Sequence, residues 1–586
     1  MQTKTNAREI PSIKQSLVFK GKSTLLQIKR GAENSLNPRL KSARFDKKLF
    51  EKSIIAESKT KLWTESEPEE RFLLAGKIQN LRLAVKKLNG LEISANQVFS
   101  FWKQVGKANK LNGYVVGREL REGCIIPNVG GGLCQISNAL YDAALQANFE
   151  IIERHAHTQV VAGSLAEVGR DATVFWNYVD LRFKSPNAFR IEAKLDAEHL
   201  ILRFRGEKQI KKQLFQIQKL STLDSSLSTV NSCATCGEES CFRMVKPEKN
   251  LNFGKTAFLV DEFSPEFDEY IQKSKNKTDL LFVPLDGKRF KKANYAWETS
   301  GFAKVRQSFL TTLIRSYKSR KLAAQGAERQ QNLLEMAKKL ARSYADNLRF
   351  DVLHVVVSQN ILPFLWREGI LGGRTFDVLM TNLPINELQK RLDFAHKLHP
   401  ESKTLGDFRA ENWLVEAETE ALKNARKIIT PHSEIASLFP DQAELLNWNL
   451  PKIKDRKPKT KNQKPIIAFP ASTVGRKGAY ELREALIGLN VKIMTFGADI
   501  EGDDFWKDFD VERGNFQNGW LEKADLVVLP SYLETKPRRL LEAAANKIPV
   551  IASTACGVEN IENIEIVPFG DAENLKLKLQ NVLAKL

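Results

Sequence analysis

Asp525-Leu526-Val527-Val528-Leu529-Pro530-Ser531, a helix-length stretch from Pro537 to Asn546, and Pro549-Val550-Ile551-Ala552-Ser553 lie in direct succession near the end of the chain. The two apolar runs are short and continuous rather than alternating, as strands covered on both faces require. Strand, helix and strand in that order predict an α/β unit with a parallel sheet.

The same grammar extends upstream. Pro465-Ile466-Ile467-Ala468-Phe469-Pro470 and Val491-Lys492-Ile493-Met494-Thr495-Phe496-Gly497 read as strands, with Val474-Gly475-Arg476-Lys477-Gly478 opening a helix from Ala479 between them. A basic linker, Lys452 to Lys464, precedes this unit. Before it, Thr256-Ala257-Phe258-Leu259-Val260, Leu280-Leu281-Phe282-Val283, Val352-Leu353-His354-Val355-Val356-Val357, Phe376-Asp377-Val378-Leu379-Met380 and Lys427-Ile428-Ile429-Thr430 alternate with helical patterns. One of those patterns runs from Val305 to Tyr344 and breaks near Gly326. Two doubly wound units in tandem are therefore expected.

Ahead of residue 254 the pattern differs. A helix over Glu67 to Leu88, short strands and turns, and then Asn128-Val129-Gly130-Gly131-Gly132-Leu133-Cys134-Gln135-Ile136-Ser137-Asn138-Ala139-Leu140-Tyr141 predict an α+β unit. The glycines permit positive φ and close backbone approach. Leu133, Ile136, Leu140 and Ala144 recur at helical spacing, which sets Cys134 in the first turn of a helix, where unpaired N–H groups favour a thiolate. A thiol used for acyl transfer needs a base within hydrogen-bond reach and a third group to orient that base. The structural alternative for Cys134 is a small residue packing the glycine turn. Alternation in Arg154-His155-Ala156-His157 predicts both histidines on one strand face, which also permits a metal pair.

Composition bounds the function. Among 586 residues, 90 Lys and Arg stand against 70 Asp and Glu, a net of +20, which suits an anionic partner such as a nucleotide-sugar, a phosphorylated lipid or an anionic membrane surface. The basic residues are not interleaved with aromatics as base stacking requires, so nucleic acid is not expected. No run of about 18 apolar residues occurs and the N-terminus lacks the apolar core of a signal peptide, so the expected location is cytoplasmic, with a peripheral position at the inner face of the membrane as an option. Six cysteines do not make a disulfide scaffold in a chain this long. Cys233-x2-Cys236-x4-Cys241 offers three soft ligands for zinc or an iron–sulfur cluster, with loose thiols or a redox dithiol as alternatives. The expected division is a basic arm over 1–36, read as a mobile tail, an α+β domain over 37–206, a connector holding the cysteine cluster over 207–253, and α/β domains over 254–450 and 451–586.

Two resemblances follow from these residues. Phe99-Ser100-Phe101-Trp102, Gly113-Tyr114, Gly130-Gly131-Gly132-Leu133-Cys134-Gln135 with Ser137-Asn138, Glu153-Arg154-His155-x-His157, Gly169-Arg170-Asp171-Ala172-Thr173-Val174 and Asp180-Leu181-Arg182-Phe183 together resemble the VanW family over about residues 37–206. Some secreted members of that family are associated with peptidoglycan cross-linking as L,D-transpeptidases that use a VanW cysteine as nucleophile. The resemblance implies Cys134 as nucleophile, His155 or His157 as base, and Asp171 or Asp180 as the orienting group.

Pro530-Ser531-x-x-Glu534-x7-Glu542-Ala543 followed by Ile548-Pro549-Val550-Ile551-Ala552-Ser553 resembles the donor-binding signature of retaining GT-B glycosyltransferases, over about residues 254–586. This implies that Glu542 bonds the donor ribose, Glu534 contacts the sugar, and Lys477 with Arg476 neutralises the diphosphate. In that group the arginine stands several residues ahead of the Lys-Gly pair, whereas here it is adjacent. The expected architecture is thus multidomain, an α+β VanW-like domain followed by two Rossmann-like domains in GT-B arrangement. The expected chemistry is sugar transfer from a nucleotide-sugar to an envelope glycan, lipid-linked or peptidoglycan-precursor acceptor. Two alternatives stand beside it: thiol acyl transfer as the main activity, and a VanW-like module that binds a glycan or precursor without catalysis.

Overall fold

In the computed structural model, residues 12–37, 40, 42–64, 70–121, 124–157, 164–207, 231–232, 241, 252–321, 327–407, 409–451, 464–517 and 519–586 are described. The chain forms two compact units. One comprises residues 1–254 with 349–353 and 368–374, and the other comprises 255–348, 354–367 and 375–586.

The first unit opens with helix α1 (Ile13–Leu36). This differs from the expected mobile arm, and the reason is visible in its contacts. Arg30 pairs with Glu153, Asn34 bonds Asn177, and Phe19 meets the Phe175 ring edge-on at 5.9 Å. The helix thus docks through mostly polar groups and leaves Leu17, Leu25 and Ile28 in solvent. Its apolar residues form no inward stripe, so periodicity did not reveal it.

Strand β1 (Ile54–Lys61) and helix α2 (Arg71–Leu88) follow, then β2 (Leu91–Ile93), β3 (Val98–Ser100), β4 (Val116–Arg121) and β5 (Cys124–Val129). Helix α3 (Cys134–Gln146) leads to β6 (Glu150–Glu153), β7 (Arg182–Lys184), β8 (Phe189–Leu195) and β9 (His199–Gly206). The main sheet is antiparallel, with Arg44–Phe45, β2, β8, β9 and β1 in order. Strands β3, β7 and β6 form a second antiparallel sheet. β8 reads buried and half-buried in strict alternation, so Phe189, Ile191, Ala193 and Leu195 face a core shared with Leu81, Leu88, Ile136, Leu140 and Phe183.

The second unit holds two parallel sheets. The first is built from β10 (Thr256–Leu259), β11 (Leu280–Val283), β12 (Lys304–Gln307), β13 (His354–Ser358), β14 (Thr375–Leu379), β15 (Lys427–Thr430) and β16 (Ala443–Leu445), in spatial order β12-β11-β10-β13-β14-β15-β16. Helices α4 (Phe309–Lys321) and α5 (Ala327–Asn347) occupy the stretch expected to be helical and interrupted near Gly326. The second sheet contains β17 (Ile466–Phe469), β18 (Lys492–Thr495), β19 (Asp510–Arg513), β20 (Leu526–Leu529), β21 (Val550–Ser553) and β22 (Ile564–Val567), in order β19-β18-β17-β20-β21-β22. Helix α6 (Ala479–Leu486) follows β17, and α7 (Arg538–Ala545) joins β20 to β21.

Both orders are those of a Rossmann-like sheet, with the direction of winding reversing beside the first strand. Two such sheets in tandem make the GT-B architecture. Every residue of β17, β20 and β21 is buried, which is why these strands read as unbroken apolar runs. Cys233, Cys236 and residues 452–463 of the basic linker lie outside the described residues. No helix among the described residues is long and apolar enough to cross a membrane.

Candidate functional site

The glycine turn before α3 is a point of backbone contact. Gly130 and Gly132 take φ of 79° and 98°, which only glycine accepts without strain. A Cβ on Gly131 would stand 2.6 Å from the carbonyl carbon of Gly117 in β4, and one on Gly117 would stand 2.5 Å from the Gly131 oxygen. Asn80 of α2 closes the arrangement, donating from Nδ2 to the carbonyls of Val115 and Gly131 at 3.0 Å. The turn therefore fixes the start of α3 through main-chain packing, and with it Cys134.

One face of α3 then anchors the segment around Asp171. Ser137 Oγ donates to the Ala172 carbonyl at 2.6 Å, Asn138 Oδ1 accepts from Ala172 N at 2.8 Å, and Arg170 reaches Asp142 at 2.7 Å. Asp171, almost fully buried, turns its carboxylate toward His157 and accepts from both the backbone N–H and ring Nδ1, at 2.6 and 2.7 Å. Arg154 holds the other carboxylate oxygen at 2.6 Å. The Cys134 thiol, which donates to the Val174 carbonyl at 3.9 Å, lies close enough to this imidazole to favour its charged form.

Cys134, His157 and Asp171 thus form a thiol–imidazole–carboxylate series. Burial alone would lower the His157 pKa, but the bond to Asp171 and the neighbouring Cys134 outweigh it and raise it from 6.5 to about 9, so the ring is an imidazolium at neutral pH. Burial works against ionised Asp171 as well. Its bonds from His157 and the Arg154 charge prevail and hold its carboxyl below the usual range.

The remaining sequence candidates of this unit lie elsewhere. His155 is 50% exposed and stands 3.4 Å from Glu153, while the His157 side chain is 16% exposed. The two histidines do not share a strand face. The strand ends at Glu153, and the N–H of His157 that a ladder would use goes to Asp171. Asp180 accepts from Ser100 Oγ at 2.6 Å, Trp102 N at 3.2 Å and Arg182 Nε at 2.8 Å, so it fixes the start of the short helix Phe101–Val105. Cys241 is a free cysteine, and among the described residues no group of three His, Cys, Asp or Glu could hold a metal ion.

The second unit brings its candidates to the crevice beyond the carboxyl ends of β17 and β20, the point where the winding reverses and where ligands bind in open α/β sheets. Lys477 lies in the turn after β17 and Glu534 in the loop after β20. They meet there, with Lys477 Nζ 2.7 Å from Glu534 Oε2 and 3.1 Å from the Leu533 carbonyl. Burial would raise the Glu534 carboxyl, but Lys477 and the backbone N–H groups of Thr535 and Lys536 hold it below the ordinary range. Arg476 accepts from Tyr532 N and Ser531 Oγ through its carbonyl, both at 3.0 Å, and burial lowers the pKa of its guanidinium. Glu542 lies on α7, half-buried, with Arg539 Nη1 at 2.7 Å. Gly478 caps α6 with φ of 74° where a Cβ would strike the Pro530 carbonyl, which brings the two loops together.

Residues not singled out from the sequence complete this crevice. His432, after β15, donates from Nε2 toward the carbonyls of Glu534 at 3.2 Å and Ala555 at 3.3 Å, and burial lowers its pKa. Asp261, after β10, binds Arg315 at 2.5 Å and also Asn360, which follows β13. Lys536 pairs with Glu262 at 2.6 Å and Arg538 with buried Glu266, so the loops of the two sheets face each other across the crevice. Asp261, Asn360 and His432 each follow an apolar strand within two residues, a signal present in the sequence.

Comparison with known proteins agrees with this division. A family profile described as "VanW like protein" matches residues 76–205, and one described as "Glycosyl transferases group 1" matches residues 514–585. The vancomycin B-type resistance protein VanW of Enterococcus faecalis is 31% identical over 161 residues, covering 27% of this chain and 58% of that protein. The Bacillus subtilis protein YoaR is 32% identical over 142 residues, covering 24% and 46%. The chain therefore spans about half the length of the curated relatives it matches.

Among solved structures, sucrose-phosphate synthase from Thermosynechococcus elongatus is 16% identical with a TM-score of 0.36, covering 56% of this chain and 90% of that one. Anabaena HepE in complex with UDP and glucose is 14% identical with a TM-score of 0.33, covering 56% and 89%. The chain joins a VanW-like segment to a group 1 glycosyl transferase segment.

Proposed function

We propose that the second unit is a glycosyltransferase that moves a sugar from a nucleotide-sugar to a cell-envelope or lipid-linked acceptor at a membrane surface. The observation that carries this reading is the meeting of Lys477 and Glu534 at the reversal point of the second sheet. There the lysine and Arg476 would neutralise a diphosphate, Glu534 would contact the sugar, and Glu542 would accept from both vicinal ribose hydroxyls. The group 1 profile over residues 514–585 supports it. A thermal-shift series with UDP-, GDP- and ADP-sugars tests it, because a bound donor stabilises the fold by mass action. One donor should raise the melting temperature of the wild type and shift Glu542→Ala much less. No shift with any donor sinks the reading.

A second activity is favoured by the Cys134, His157 and Asp171 series. In thiol acyl transfer, the Cys134 thiolate attacks an acyl carbon and the leaving amine takes a proton from the His157 imidazolium, giving a thioester. An incoming amine then attacks, gives its proton to His157, and releases the thiolate as the new amide forms. Peptidoglycan-precursor peptides are the substrate class to which the VanW resemblance points. Cys134→Ser should abolish acyl transfer and leave sugar transfer intact. If it instead abolishes only acceptor binding, the unit is a recognition module.

A further inference from the structure

Helix α4 is built inside out. Its inward face carries Ser308, Thr312 and Arg315, all buried, with Thr312 Oγ1 donating to the Pro284 carbonyl at 2.8 Å and Arg315 held by Asp261 at 2.5 Å. Its outward face carries Leu310, Leu313, Ile314 and Tyr317, spaced i, i+3, i+4 and i+7, and Leu310 is 75% exposed. An ordinary surface helix has the reverse arrangement. A neighbouring loop, Lys288-Arg289-Phe290-Lys291-Lys292, adds an exposed aromatic ring that leans on Phe309 with ring centres 5.4 Å apart. Residues 288–292 hold four basic residues and no acid, and residues 304–321 hold six and no acid. Of these, Arg315 is buried against Asp261, while Lys288 and Lys318 pair with Glu298 and Glu335.

We infer that this face docks on the surface of an anionic lipid bilayer, with Leu310, Leu313, Ile314 and Tyr317 entering the boundary between headgroups and acyl chains and Lys291 and Lys292 meeting lipid phosphates. An apolar stripe rimmed by lysine and arginine is the physical signature of a helix lying in the membrane interface. The alternatives fit less well. A second copy of the chain would bring the basic loop of Lys291 and Lys292 against its own like charge. A nucleic acid would gain nothing from three exposed aliphatic side chains. The inference deepens the proposed function by assigning the membrane-facing surface, and it rests on the reading that the acceptor is at a membrane.

Co-sedimentation of the full chain with vesicles tests it without any sugar transfer. The chain should bind vesicles of equimolar phosphatidylcholine and phosphatidylglycerol, lose most of that binding as salt rises, and ignore phosphatidylcholine alone. Leu310→Ser with Ile314→Ser, and separately Lys291→Glu with Lys292→Glu, should each weaken binding about tenfold or more while keeping the wild-type melting temperature. Unchanged binding by both folded variants overturns the inference, as does equal binding to the two vesicle types. Dimerisation in size-exclusion chromatography that only the serine variant abolishes would assign the face to a second copy instead. Vesicle binding without any donor-induced thermal shift would overturn the transferase and leave the docking surface standing. A donor shift without vesicle binding would do the opposite.

Discussion

Replacing Asp171 with Asn tests the thiol centre at the point that organises it. The carboxylate accepts two bonds from His157 and one from Arg154. Together with the neighbouring Cys134 it raises the ring from 6.5 to about 9, a preference for the charged imidazole worth roughly 3 kcal/mol at about 1.4 kcal/mol per pH unit. At pH 7 a ring titrating near 9 is neutral in only about one molecule in a hundred. In Asp171→Asn, burial is left with less to oppose it, and most rings are neutral at that pH.

Diethyl pyrocarbonate modifies neutral imidazole, and peptide mass spectrometry resolves His157 from the other six histidines. Modification of His157 should have its midpoint near pH 9 in the wild type and at least two pH units lower in the variant. The sign extends to stability. A raised histidine pKa contributes fully below the unfolded value of about 6.5 and is lost as pH climbs through 9, so the deficit of the variant should shrink over that interval. A wild-type midpoint near 6.5, or the same midpoint in both proteins, refutes the assignment.

Lys77 is only 8% exposed, and burial together with the Arg118 charge lowers its pKa from 10.5 to about 7. The unfolded chain binds the extra proton between those values, so the stability of the first unit should rise with pH from 7 to 10, and Lys77→Met should flatten that rise and gain up to about 4 kcal/mol at pH 7, read by urea unfolding. Gly131→Ala forces a Cβ to 2.6 Å from Gly117 and should cost on the order of 3 kcal/mol, whereas Gly21→Ala, with nothing within 4 Å and a position inside α1, should be neutral or stabilising by up to about 1 kcal/mol. Both are read as shifts in melting temperature. Gly557→Ala would drive a Cβ into the His432 ring, where φ is already 61°, and should raise amide hydrogen exchange around 430–436 and weaken any donor-induced thermal shift.

The parallel sheets were legible because each central strand is covered on both faces and reads as an uninterrupted apolar run, with Ile466–Phe469 and Leu526–Leu529 the plainest cases. Cys134 was legible as a feature because glycine and helix signals converge on it. Its partners were only half legible. The sequence offers His155 and His157, Asp171 and Asp180, and no local rule separates them. The separation is tertiary: Asp171 is delivered by Ala172 bonding to Ser137 and Asn138 of α3, while Asp180 is taken up by Ser100 and Arg182. His432 and Asp261 escaped because a lone polar residue after a strand has many ordinary explanations. α1 escaped because most of its apolar residues point to solvent, whereas α4 was legible as a helix although its apolar residues also point to solvent.

The close approaches of Gly76, Gly117 and Gly131 to backbone, and of Gly132 to the Lys77 side chain, carry one more consequence. With the Asn80 side chain that closes them, they specify where the thiol sits without using the thiol itself, so assembly of the scaffold and chemistry of the thiol are encoded at separate positions. A library of first-unit variants recovered only for soluble expression should return these four glycines unchanged while Cys134 drifts freely to serine or alanine. The same library recovered for a working thiol should return all five. The difference between the two sets of survivors would separate the positions that make the unit from those that make it react.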